Sequence, residues 1–299
     1  MLHVLTHNIL PVFAILAIGF AMGRRKTLST SEAKTVNRVA FLTLQPPLIF
    51  GLLSGLDLTA LRFDAILIYA LCEIAGFILA YGVARYILRR DHLESWLLAM
   101  AVVFVNSLLY IWPIAVLMYG DQGAIPITAI VALDSSLVFA FFIVSMELMA
   151  GRKTTLQAAK NLGKNPILLG ITLAITLNVA GFTVPEPIMT AARFAGVAAA
   201  PLTLLALGVI LSQQAAKPSL TVITFTSLKL LAFPAMVYFT LQLLTPGSSW
   251  EAQLVLNAAG PSGAMAFSLA LLHGVRTDAV APVVIWTSFL SVFSLAFLA

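Results

Sequence analysis

Apolar runs long enough to cross a bilayer follow one another almost without pause along these 299 residues. Hydrocarbon offers no water to bond the backbone, so each run must satisfy its own peptide groups. A helix of about 20 residues does so across the membrane. Ten runs qualify, over roughly 8–23, 34–54, 63–88, 95–119, 123–148, 166–183, 188–213, 219–244, 251–273 and 277–298. With 61% hydrophobic residues, 10% charged and a mean hydropathy of +1.01, the chain is too apolar for a water-soluble globule. The expected fold class is an all-α integral membrane protein with ten transmembrane helices in one domain.

The charges lie in the gaps. Arg24, Arg25, Lys26 and Lys34 separate the first two runs, and Arg85, Arg89 and Arg90 close the third. Arg152, Lys153, Lys160 and Lys164 follow the fifth, with Lys217 and Arg276 in later gaps on the same side. The alternate gaps are mainly acidic: Asp57, Asp64, Asp121, Glu186 and Glu251. Basic loops stay in the cytoplasm, which places both termini outside it, with the protein in the cell's inner membrane. This distribution, rather than nucleic-acid binding, accounts for the net charge of +5. The one cysteine, Cys72, falls inside an apolar run and offers no disulfide or thiolate site within a single chain.

The basic gap divides the chain into 1–150 and 165–299, five runs each. An odd number reverses the polarity of the second half, so any likeness between halves is an inverted repeat. Matching interruptions support one. Asn106–Pro113 (NSLLYIWP) breaks the fourth run and Asn257–Ser262 (NAAGPS) the ninth. Proline removes a donor and clashes with the carbonyl four residues back, so both runs are expected to break at their prolines. Freed backbone groups at membrane depth must meet protein or line a wet cavity, and paired broken helices point to a transporter's binding site.

These residues resemble a known family. NILPVFAILAIGFAMGRRKTLS and AKTVNRVAFLTLQPPLIF look like the opening of bacterial auxin efflux carriers. NSLLYIWPIAVLMYG and NAAGPSGAMAFSLALLHG are similar to that family's two crossing motifs. Leu108 and Ile111 stand where the family usually has glycine, which points to an altered pocket. The resemblance implies crossing broken helices 4 and 9 and transport of organic anions, members including plant auxin exporters and bacterial malonate carriers. It also implies a scaffold of spans 1, 2, 6 and 7, and a moving unit of spans 3–5 and 8–10. A homodimer through spans 2 and 7 is part of the same expectation.

Glu73, Asp134 and Lys229 fall inside apolar runs, where a charge costs about 2.5–3.5 kcal/mol on insertion scales. Lys229 is expected to offer positive charge to an anion or to balance a carboxylate, with Asp134 or Glu73 taking a coupling H⁺ or Na⁺. A structural ion pair is the alternative. Helix starts at Pro113 and Ser262 would aim free amides at the substrate. Asn106, Ser107 and Ser262 supply neutral hydrogen-bonding groups. Asn257 either touches ligand or bonds the carbonyl freed by Pro261; Tyr110 either stacks on an aromatic substrate or packs between helices. Gln45 is expected to serve the kink at Pro46–Pro47 rather than the pocket.

No metal cluster, cofactor motif, HExxH or phosphate loop is visible, which argues against a membrane enzyme. The expected function is secondary transport of small, malonate-like organic anions by alternating access. A sodium-coupled symporter of the bile-acid type and a non-transporting receptor on the same fold remain as alternatives.

Overall fold

The computed structural model describes residues 2–151 and 163–298, so Arg152, Lys153 and Lys160 of the basic gap lie outside the described residues. The first helices are α1 (Leu2–Arg24), α2 (Thr30–Ser54), α3 (Phe63–Ile87), α4 (His92–Val103), α5 (Trp112–Gly123) and α6 (Ile125–Met149). They continue with α7 (Pro166–Val179), α8 (Glu186–Ser212), α9 (Leu220–Leu244), α10 (Glu251–Ala258), α11 (Met265–His273) and α12 (Val280–Leu298). Seven of them, α1, α2, α3, α6, α8, α9 and α12, are long and apolar enough to cross a membrane.

Local chemistry sets the starts. Ser29 caps α2, its side chain accepting from the Glu32 amide while Glu32 reaches back to the Ser29 amide. Asp91 caps α4 through the Glu94 amide, and Asn165 caps α7 with Pro166 in the first turn. Gly120, at φ 70° and ψ 176°, lies near the end of α5 in a backbone conformation that few other residues adopt.

Two packed groups emerge. In one, α1 lies along the second half of α8, while α7 and the first half of α8 pack on α2. Small residues permit this. A Cβ on Gly19 would fall 2.1 Å from the Leu205 carbonyl oxygen, and one on Gly208 2.2 Å from that of Leu16. Lipid tails provide no hydrophobic drive between helices, so such backbone approach is what makes the contact favourable. In the other group α3 packs on α4 and α9, α9 on α10 and α12, and α11 on α4. The outward row Phe63, Leu67, Leu71, Ile74 and Ile78 of α3 is exposed, as suits a lipid-facing surface.

Candidate functional site

Neither interrupted run is a continuous helix. α4 ends at Val103, and Phe104 and Asn106 take extended or irregular backbone before a π-helical turn, Ser107–Ile111, leads into α5. α10 ends at Ala258, and α11 begins at Met265. The two gaps meet. Val105 and Ser262 form a single antiparallel bridge. The Asn106 amide donates to the Pro261 carbonyl at 3.0 Å, and the Gly263 amide to the Phe104 carbonyl at 2.8 Å. Each gap thus bonds backbone groups that the other leaves free, meeting the demand that membrane-depth peptides be paired within protein. Ser262 adds a bond from its amide to Thr287 Oγ1 at 3.2 Å and one from its hydroxyl to the Ala101 carbonyl.

The breaks are not where proline alone predicts. The first lies at 104–106, and Pro113 sits in the first turn of α5, where its missing donor costs nothing. The second half-helix starts at Met265 rather than at Ser262. The Tyr110 and Ile111 amides both donate to the Asn106 carbonyl. By the geometry of a helix start, the amides of Ser107, Leu108 and Leu109 have no partner further back in their own helix.

Those three residues line a cavity of about 140 Å³ between the two packed groups. One wall is Asn37, Phe41 and Gln45 of α2, Ile167 of α7, and Thr203 and Leu207 of α8. The other is 104–109, Asp134, Ser135 and Phe139 of α6, Gly263, and Ala264, Met265 and Ser268 at the start of α11. Gln45 Nε2 donates across the first wall to Thr203 Oγ1 at 3.3 Å. Ser107 Oγ donates to Asp134 Oδ2 at 3.0 Å in the second. The lining residues sit at mid-helix or toward the ends joined by basic loops.

Behind the crossing lies a polar cluster. Glu73, Asp134 and Lys229 are all buried, and each acts electrostatically on the other two. Lys229 Nζ donates to the Ala258 carbonyl at 2.9 Å, at the end of α10, and lies 4.8 Å from the Phe233 ring centre. Among the described residues it forms no direct ion pair with either carboxylate, so the simple structural ion pair is absent there. Both Glu73 oxygens and Asp134 Oδ1 accept from no other group, and the two carboxyls lie within hydrogen-bonding reach of each other. Asn257 Nδ2 donates to Tyr69 Oη at 2.8 Å instead of serving the carbonyl freed by Pro261.

The expected site residues therefore separate. Asn106, Ser107 and Asp134 reach the cavity. Pro261 and Ser262 hold the crossing; Lys229, Glu73 and Asn257 stand behind it. Tyr110 is fully buried among helices, which is the packing alternative, and Pro113 serves α5. Gln45 lines the cavity rather than serving only the kink. Asn37, Thr203, Ser135 and Ser268 were not anticipated; their signal was small polar side chains inside apolar runs. Ile111 does not enter the cavity. A Cβ on Gly260 would sit 2.5 Å from its Cδ1, so bulk at 111 fills space left by a glycine opposite, while Leu108 narrows the cavity itself.

Three π-helical turns, Ser107–Ile111, Asp134–Val138 and Leu228–Ala232, contain Ser107, Asp134 and Lys229. An extra residue in a helical turn re-aims side chains, and such turns collect at functional sites.

Comparison with known proteins supplies the family. The family described as "Membrane transport protein", which comprises the auxin efflux carriers, matches residues 4–299. An "Uncharacterized transporter" of Methanothermobacter thermautotrophicus is 27% identical over 97% of this chain and 96% of its own length. A "Putative malonate transporter" of Rhizobium meliloti is 24% identical over 96% of this chain and 92% of its own. The family and both relatives are transporters rather than enzymes. A match spanning nearly every residue, on a chain of apolar helices, makes this a multi-pass membrane protein that belongs to the auxin efflux carrier family of membrane transport proteins.

Proposed function

We propose that the chain is a secondary transporter that moves small organic anions through the cavity at the crossing. The observation that carries this is the meeting of two broken helices beside a cavity lined by Asn106, Ser107 and Asp134. In this reading the ten spans form two inverted repeats. Spans 1, 2, 6 and 7 (α1, α2, α7, α8) are the scaffold, and the remaining helices move against it. Its support is that the cavity separates those same two packed groups. The same reading has the chain in the inner membrane with both termini outside the cytoplasm and the cavity open toward the basic loops; the positive-inside pattern supports that orientation. Dimerisation through spans 2 and 7 is part of the proposal.

The buried carboxyls are the proposed coupling site. Glu73 Oε1, Oε2 and Asp134 Oδ1 are three acceptors without donors, which a proton or Na⁺ between them would satisfy. Lys229 offsets part of their charge from behind. The membrane potential sets what coupling must do: a monovalent anion leaving at −100 mV gains about 2.3 kcal/mol, so export needs no coupled ion and uptake does. The malonate named for the Rhizobium meliloti relative belongs to the same class of small acids.

Proteoliposome counterflow with mono- and dicarboxylates, with and without Na⁺ and pH gradients, tests the reading. Saturable exchange of one acid supports it, and the gradient that drives accumulation identifies the ion. Absence of exchange with every acid in folded, reconstituted protein would overturn it in favour of a receptor role.

A further inference from the structure

Among the described residues the cavity is lined by one ionisable residue, Asp134, and by no lysine, arginine or histidine. Lys229 does not supply the missing cation. It is fully buried behind the crossing, its ammonium engaged by the Ala258 carbonyl and lying over Phe233. The polar groups left to donate to a ligand are neutral: Asn106, Ser135 and the Gln45–Thr203 pair, since the Ser107 and Ser268 hydroxyls donate to Asp134 and to the Ala264 carbonyl. Around them Phe41, Leu108, Phe139 and Leu207 form an apolar wall. A buried charge is tolerated when hydrogen-bonded and paired, and becomes costly when neither a counter-charge nor water compensates it. Neutral donors and helix-start amides can hold one carboxylate. A second carboxylate would find no cationic side chain among the described lining residues and would approach Asp134.

Building on the transporter reading above, we propose that the cavity binds short carboxylic acids in their singly charged form. The ligand is a monocarboxylate, or a dicarboxylate that keeps one proton, with its neutral end against the apolar wall. The size is consistent: a cavity of about 140 Å³ admits a small acid.

The test compares equilibrium binding of malonate and of its monoamide, malonamate, to the purified full-length protein across the pH range of malonate's second ionisation. Malonamate has nearly the same shape and a fixed single charge. The expected result is that its affinity advantage over malonate grows about tenfold per pH unit above that ionisation, because only the hydrogen form of malonate competes. A ratio that stays flat, preferential binding of the dianion, or binding of neither acid would overturn the proposal. Ser268→Lys, at an exposed lining position, adds a cation and is expected to shift the ratio toward malonate at least several-fold. An unchanged ratio would place the ligand elsewhere and overturn the assignment to this cavity. Counterflow run on the same preparation separates the two claims: malonamate binding without exchange keeps the charge rule and removes the transport reading.

Discussion

Gly260→Ala examines the crossing at its tightest point. The added Cβ would lie 2.5 Å from Ile111 Cδ1, 2.6 Å from Ile111 Cγ1 and 2.9 Å from Val105 Cγ1. The Ile111 tip could rotate away, but Val105 is β-branched and pinned by its bridge to Ser262, so relief must come through backbone or off-rotamer shifts. Overpacking of this kind costs about 1–3 kcal/mol. Ile111→Ala alone should cost about 2–5 kcal/mol, as a large-to-small change at a fully buried side chain. The two changes together should cost less than their sum by at least about 1 kcal/mol, since the new methyl enters the space the isoleucine vacates. The assay is a double-mutant cycle by chemical unfolding of the protein in detergent, with counterflow on the same samples. Strict additivity would refute the claim that Ile111 and Gly260 are packing complements, and with it the contact between the two interruptions.

Other outcomes follow from the same contacts. Lys229→Met should orphan the Ala258 carbonyl and remove the cation nearest two buried carboxyls, destabilising the protein by about 1–3 kcal/mol at neutral pH. Adding Asp134→Asn should recover part of that loss while leaving transport impaired, and equal instability of the single and double variants would contradict the electrostatic cluster. Asn257→Ala should cost about 1–2 kcal/mol through the bond to Tyr69, and Tyr69→Phe measured on top of it should cost almost nothing more. Gly208→Ala should lower the melting temperature strongly because its Cβ meets α1 backbone, whereas at Gly82 a Cβ meets nothing and alanine should be neutral or stabilising. If the two glycines respond alike, the close approach of α1 and α8 is not what holds them.

The fold was legible wherever one local rule governed. Apolar length located most of the runs to within a few residues, although α1 begins at Leu2, well before the run read there. The interruptions were visible as asparagine and proline inside apolar sequence. Their geometry was not, because proline chemistry is tolerated in a first turn, and Pro113 occupies one. What breaks α4 is the chance to bond another interruption more than 150 residues away, which no local pattern encodes. The burial of Glu73, Asp134 and Lys229 together was suggested by the cost of charge in hydrocarbon. Which of them reaches the cavity depended on π-helical turns that hydrophobic periodicity does not register. Thr203 and Asn37 were hidden for a similar reason: a single polar residue in an apolar run reads as tolerance until a neighbouring helix brings a second one beside it, and Gln45 was assigned to its kink for want of that neighbour.

The central claim is that the transported acid sits in the cavity beside the crossing, and substrate protection measures that most directly. Ser268→Cys in a Cys72→Ser background places one accessible thiol on the lining, and its labelling rate with a membrane-impermeant maleimide can be followed with and without a saturating transported acid. Labelling from the basic-loop side that slows several-fold when the acid is present is the predicted result. A rate unaffected by an acid that the same vesicles exchange would put the transport path somewhere else in the molecule.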